Sequence, residues 1–261
     1  MSLVLAVSPH LDDAVLSAGG RLFELAAEGA EVIVFTLLAG IPEPPFSLLA
    51  DLFHEEWGLE GNPVAERRAE DGDALKLLGS RPVHGSDLDV IYRTGPDGLW
   101  MVDMDGPSAA YETDDEPGLR EHLAGSVARV VAELGPDLIL TCAAVGEHID
   151  HRRTRDAVLT AAGDRVPVRC WEDLPYAHRS ADPPILPDGA VLGPPVAERA
   201  TDEGWSAKYA AIECYRSQHS MLWPSGEDFR PSFDAHATAQ ARSLGLTGRA
   251  ELFWPVLPGG R

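Results

Sequence analysis

Two short segments of this 261-residue chain concentrate side chains able to do chemistry. The first, SPHLDDAVLSAGG (8–20), holds His10, Asp12 and Asp13. The second, GEHIDH (146–151), holds His148, Asp150 and His151. Two histidines and one carboxylate form a recurring catalytic metal set that leaves a coordination position free for water. Zinc in such a set lowers the pKa of its water towards roughly 7 and polarises a substrate carbonyl. A further carboxylate can then take the water's proton. A further histidine can steady an oxyanion or protonate a leaving amine. That complement of groups suits hydrolysis of an amide. Taken singly, Asp-Asp after a strand also reads as a helix N-cap, and HxDH as a solvated loop. Spacing alone leaves open which of Asp12 and Asp13 would bind a metal.

These residues need elements to bring them together. LVLAVS (3–8) is a continuous apolar run, as in a parallel strand buried on both faces. A helix with Val15, Leu16, Leu22 and Leu25 on its apolar side follows over 12–28, closed by Gly29. EVIVFTLLAG (31–40) reads as the second strand of a βαβ unit, so a right-handed crossover into a parallel sheet is expected. Residues 42–63 read as a loop with a short helix, 65–79 as a helix, and 82–117 as loop or lid. A helix over 122–135, a strand over 137–143, a helix over 151–162 and a strand over 166–173 continue the alternation. A helix is expected at 208–218, and the tail after Trp223 is poorly patterned. The fold class is α/β: a Rossmann-like, mostly parallel sheet flanked by helices, with both polar segments at the carboxyl edge of the strands, where such sheets bind ligands. One domain spanning 1–261 is the economical reading.

Composition limits the partners. With 42 acidic against 21 basic residues the formal charge is −21, which argues against nucleic acid and against an anionic membrane surface. No stretch is apolar enough to span a bilayer, and the apolar N-terminal run lacks a basic region and a cleavage site. A cytoplasmic location is therefore expected. Three dispersed cysteines form no CxxC pair and read as reduced thiols. No GxGxxG follows the first strand, and no nucleophile elbow surrounds Ser8 or Ser17.

PHLDD (9–13) with AVLSAGG after it resembles the signature of the LmbE-like (PIG-L) deacetylase family, and HIDH (148–151) resembles its second metal motif. RAEDGDALKLLG, led by Arg67 and Arg68, is similar to the family's Arg-x-x-Glu helix. KYAAIECYRSQ (208–218) is similar to its late Lys-x-x-Ala helix ending in Ser-Gln. The chain departs from the family where Leu11 and Ile149 stand in place of frequent prolines. The resemblance implies a zinc-dependent N-deacetylase with Zn2+ held by His10, Asp13 and His151, and Fe2+ as the alternative occupant in the cell. It implies Asp12 as general base, and His148 as oxyanion stabiliser or general acid with Asp150 tuning its protonation. Arg67 would contact the substrate, a small N-acylated amino sugar or glycoside. Segments 82–117 and 175–205 match nothing in the family and are expected to set specificity. The alternatives are an amidase cleaving a sugar–thiol conjugate and a non-catalytic sugar- or metal-binding member. An Fe(II) oxygenase shares the ligand types but favours a β-barrel, which the helix-rich pattern opposes.

Overall fold

The computed structural model describes residues 2–59, 61–163, 165–178, 184, 186–187 and 189–257. The chain opens β1 (Leu3–Ser8), α1 (Asp13–Ala27), β2 (Glu31–Thr36), α2 (Leu48–Trp57), α3 (Pro63–Leu77) and β3 (Arg81–His84). A covering segment follows, with a 3-10 turn at Val90–Tyr92, a small hairpin of β4 (Val102–Asp103) and β5 (Gly106–Pro107), and α4 (Ala109–Thr113). Then come α5 (Leu119–Leu134), β6 (Leu138–Cys142), α6 (Ile149–Ala162) and β7 (Val168–Trp171). The C-terminal part holds β8 (Val191–Leu192), β9 (Val196–Glu198), α7 (Asp202–Ile212), α8 (His219–Leu222), α9 (Arg230–Ser243) and β10 (Glu251–Leu257).

The sheet runs β3-β2-β1-β6-β7-β10-β8, with β9 also on β10. β3, β2, β1, β6 and β7 are parallel, and β10 is antiparallel to β7. The sheet is therefore mixed but mostly parallel. Alternating residues of β1 and β2 feed two cores. Val4, Ala6, Val32 and Val34 join the cluster with α1, α3, α7 and α9, whereas Leu5, Val7, Ile33 and Phe35 pack towards α5 and α6. A third cluster covers the carboxyl end of the strands. It gathers Trp57, Val90, Ile91, Tyr92, Met101 and Ala110 around Leu11 and Ile149, the two non-ligating motif positions.

Several elements differ from the sequence expectation. β2 ends at Thr36 rather than at residue 40: Leu37 still donates to the Ser8 carbonyl as the last bond along β1, and the chain then turns, with Leu38 donating to the Pro9 carbonyl. β3 and β10 escape the pattern because each carries a proline, Pro82 and Pro255, which weakens a strand reading. The late helix starts earlier, at the Thr201 cap, and stops at Ile212. Beyond it Ser217 donates both its N–H and its hydroxyl to Glu70, drawing Arg216–Gln218 into a 3-10 turn. Of the expected 175–205 connection, residues 179–183, 185 and 188 lie outside the described residues. Among the described residues no helix is long and apolar enough to cross a membrane, and all three cysteines are free thiols.

The small residues after PHLDD have a packing reason. A Cβ on Gly19 would lie 3.0 Å from Lys208 Cγ, so α1 and α7 approach closely only because that side is bare. The Lys208 side chain is fully buried. Its Nζ donates to Glu251 Oε1 at 2.6 Å, and Glu251 also accepts the N–H groups of Gly20 and Arg21. This ion pair joins α7, β10 and α1 behind the sheet. Lys208→Met leaves Glu251 charged in a low-dielectric interior, so a loss of about 3–5 kcal/mol is expected in urea unfolding. An unchanged midpoint would mean the pair does not brace these elements.

Candidate active site

The chain leaves β1 towards β2 on one side and leaves β6 towards β7 on the other, while β1 and β6 are adjacent and parallel. Their carboxyl ends therefore flank the crevice of a topological switch point. The PHLDD loop exits β1 there and the GEHIDH loop exits β6.

The first loop is tightly strung. Ser8 Oγ donates to the His10 carbonyl at 2.8 Å and accepts the Ala14 N–H at 3.1 Å. Asp12 has φ 140° and ψ −34°, a conformation that costs a non-glycine residue of order 1–3 kcal/mol. Its carbonyl accepts the N–H groups of Val15 and Leu16 and so starts α1, but its carboxylate makes no capping bond. That carboxylate lies 3.7 Å from Arg67 instead. The Asp13 carboxylate faces two imidazoles. Its Oδ2 accepts the His10 backbone N–H at 2.9 Å, lies 3.1 Å from His10 Nδ1 and 3.3 Å from His151 Nε2. Neighbouring aspartates thus serve two different surroundings.

The second loop is equally constrained. Ala144 (φ 66°) and Glu147 (φ 60°) occupy the left-handed region. Asp173, just past β7, holds the loop by accepting the N–H groups of Ala143 and Val145 on Oδ2, while its Oδ1 lies 2.7 Å from His151 Nδ1. A Cβ on Gly146 would come within 2.9 Å of Tyr176 Cβ, so a glycine there lets the Tyr176 ring pack edge-on against His151 at 5.0 Å. His148 caps α6, its Nδ1 accepting the Asp150 N–H at 3.2 Å.

His10 Nδ1, Asp13 Oδ2 and His151 Nε2 belong to a trio whose ligand atoms lie within 4.8 Å of one another. His151 Nε2 is buried without an aligned hydrogen-bond partner. A buried nitrogen aimed at a carboxylate, with its ring fixed from the far side by another carboxylate, is the arrangement of a metal-binding histidine. The donor set therefore fits a divalent cation. A second trio, His10, His148 and Asp150, meets the same distance condition.

Electrostatics separates the groups. Burial alone would suppress charge on His10, but Asp89 at 3.7 Å and the bonds to Asp13 and Asp150 raise its pKa well above the usual value. His151 likewise overcomes burial through Asp13 and Asp173 and rises to about 9. Asp13 is held well below the ordinary range, since the charges of His151 and His10 outweigh burial. Asp12 moves the other way, to about 7, through burial and the negative charge of Asp13, with Arg67 opposing. Burial and the charges of His151 and His10 depress His148 to about 3. Burial pushes the Asp173 carboxyl up.

All six residues of the two motifs thus converge. The Asp150 side chain lies on His10, with Oδ2 3.0 Å from Nε2; its backbone N–H donates to His148 Nδ1, and its charge also acts on the His148 ring, opposing the fall of that pKa. Arg67 is a buried group rather than a surface charge. It donates to the Leu11 carbonyl at 3.1 Å and lies 4.9 Å over the Trp57 ring. Asp173, Asp89, Arg93 and Tyr176 went unnoticed in the sequence. Asp173 carried a signal, since it ends the fourth strand expected to point at the same edge. The other three sit in loops without a pattern.

The GlcNAc-PI de-N-acetylase (PIG-L) family matches residues 5–162. A solved zinc-inhibited form of the teicoplanin deacetylase Orf2 is 40% identical, covers 98% of both chains and superposes with a TM-score of 0.90. The A40926 pseudoaglycone deacetylase Dbv21 is 39% identical over 99% of this chain and 98% of its own, with a TM-score of 0.83. A 2'-N-acetylparomamine deacetylase from Niallia circulans is 26% identical over 95% of this chain and 88% of its own.

Two outcomes are expected from titrating a divalent cation into the protein. Binding requires His151 to lose its proton, so affinity rises with pH up to about 9 and falls in acid. Asp173→Ala releases both the His151 ring and the loop, weakening the affinity by about 10–100-fold. Calorimetric affinities independent of pH, or unaltered in the variant, would refute the arrangement.

Proposed function

Because the chain belongs to the PIG-L family of de-N-acetylases, we propose that it hydrolyses the N-acetyl amide of an amino sugar, releasing a carboxylate and the free sugar amine. The observation that carries this reading is the division of labour between adjacent aspartates. Asp13 lies with His10 and His151 in a set suited to a cation, while Asp12 stands beside it with a carboxylate turned to Arg67. We assign His10, Asp13 and His151 as ligands of Zn2+, with Fe2+ as the alternative occupant in the cell. When bound there the ion supplies Lewis acidity, polarising the acyl carbonyl and easing the ionisation of water.

The protein's own groups do the rest. Asp12 is the general base. Burial and the charge of Asp13 raise the pKa of its carboxyl and a neighbouring cation lowers it, so it works ionised, taking the proton from water and returning it to the leaving amine. His148 is neutral at that pH, and its Nδ1 is committed to the Asp150 N–H. Nε2 therefore carries the proton and donates a hydrogen bond to the developing oxyanion. This favours the oxyanion role over general acid. Asp150 orients His10, and Arg67 holds Asp12 and the loop carbonyl in place beside the position where substrate would bind. The backbone strain at Asp12 is the cost of aiming two successive carboxylates at different tasks.

We read the chain as one catalytic unit over 1–261, with segments 82–117 and 175–205 selecting the substrate. The preferred substrate class is an N-acetylated amino sugar carried on a larger scaffold. Its support is the level of identity, 39–40% over nearly full length, to the teicoplanin and A40926 pseudoaglycone deacetylases.

The test is amine release from N-acetylglucosaminyl glycosides on small and bulky aglycones by metal-loaded protein. Asp12→Asn is expected to lower kcat by about 10²–10⁴-fold while binding the same amount of metal. Wild-type turnover in that variant would sink the assignment. Asp12 works ionised, so kcat/KM rises with pH. A cation beside it lowers its value, which puts the midpoint of that acid limb below about 7. An acid limb that persists in Asp12→Asn would assign it to another group.

A further inference from the structure

A buried chain of charges runs outward from the metal set into the covering segment. Asp150 is fully buried, and each of its oxygens is used. Oδ2 lies 3.0 Å from His10 Nε2 and accepts the Val90 N–H at 2.9 Å. Oδ1 accepts from Arg93 at 2.7 Å. Arg93 spreads its fork over three partners. Nε and Nη2 donate to the two oxygens of Glu116 at 2.6 and 3.1 Å, Nη2 also serves Asp150, and Nη1 donates to the Leu88 carbonyl at 2.8 Å. Glu116 is bound in turn by Arg153 on α6 at 3.1 Å, and Arg153 also pairs with Asp114 at 2.6 Å. Arg93 and Glu116 have side chains 9% and 6% exposed, so water screens them little.

Two consequences follow from this wiring. A carboxylate fixed on His10 Nε2 keeps the proton on that nitrogen and presents Nδ1 to Asp13 and to a cation. The same guanidinium fastens both ends of the segment from Leu88 to Glu116, which carries the 3-10 turn, the β4–β5 hairpin and α4. Only a planar, multiply donating cation satisfies both demands, which lysine cannot do.

We propose that Arg93 is a positioning residue that couples the orientation of His10 to the seating of the 88–116 segment, so that cation binding and ordering of the cover are a single linked equilibrium. The proposal rests on the reading of His10 as a metal ligand. Coupling of this kind is reciprocal: a bound cation protects the segment, and a loosened segment weakens the cation site.

The experiment measures Zn2+ and Co2+ affinity, the Co2+ absorption spectrum, and amide exchange of 88–116 with and without metal. It compares the unaltered protein with Arg93→Met, Arg93→Lys and Glu116→Gln. In the unaltered protein, metal slows exchange across 88–116. Arg93→Met weakens binding by about 10–100-fold, perturbs the Co2+ spectrum and abolishes the metal-dependent protection. Arg93→Lys restores charge beside Asp150 without the grip on Glu116, so it recovers affinity more than protection. If Arg93→Met fails to fold, Glu116→Gln decides: it keeps the volume of Glu116, and its expected effect is lost protection with a smaller loss of affinity. Wild-type affinity, spectrum and protection in every folded variant would overturn the proposal. Failure of the unaltered protein to bind either metal would instead remove the reading beneath it.

Discussion

Two imidazoles, each clamped between two carboxylates, set the terms for everything around them. His10 lies between Asp13 and Asp150, His151 between Asp13 and Asp173, and a single oxygen of Asp13 faces both rings. Gathering that much negative charge in an interior is costly unless positive charge comes with it. Raised pKa values on both histidines express this demand, since protons answer it as a divalent cation would. Arg67 and Arg93 stand at the edges of the cluster, one beside Asp12 and the other beside Asp150. Neither is close enough to Asp13 to form an ion pair with it, so the centre itself keeps its appetite for a cation.

The fold supplies the rigidity that this arrangement needs. Three parallel strands, β1, β6 and β7, end side by side, and each delivers one part: His10 and Asp13, His148 to His151, and Asp173. Each loop is fixed by a short polar side chain, Ser8 in the first and Asp173 in the second. Among the described residues, the non-glycine positions with positive φ are Asp12, Ala144 and Glu147 in these two loops and Asp114 in the cover. Strain there is sustained by the surrounding sheet and helices, which leave those backbones little else to adopt.

The ligand-type residues were legible because their types are rare together and their positions follow from strand ends. β1 is read with both ends correct, and the parallel order of the sheet follows from the βαβ alternation. What was not legible depends on contacts distant in sequence. Asp150 reads as a partner of its neighbour His148, and nothing in the sequence shows that its side chain also reaches back 140 residues to His10. Arg67 offered a helix position with no hint that the ring of Trp57 would lie against it. α9 and β10 carry weak periodicity, and the strand holds a proline, so it is pairing with β7, β8 and β9 that makes it a strand. Arg93 and Glu116 sit in a stretch rich in glycine, proline and aspartate, where pattern gives no guidance.

Leu11 and Ile149 occupy the non-ligating positions of the two motifs, and both side chains sit in the third apolar cluster together with Val90, Tyr92 and Met101. The two motif loops and the cover above them therefore share one small core. In evolutionary terms the cover is not a free module. Exchanging it for another changes the seats of Leu11 and Ile149, and with them the loops that carry His10, Asp13 and His151. A change in the cover is thus felt at the seats of both motif spacers, and a change in either spacer is felt in the cover.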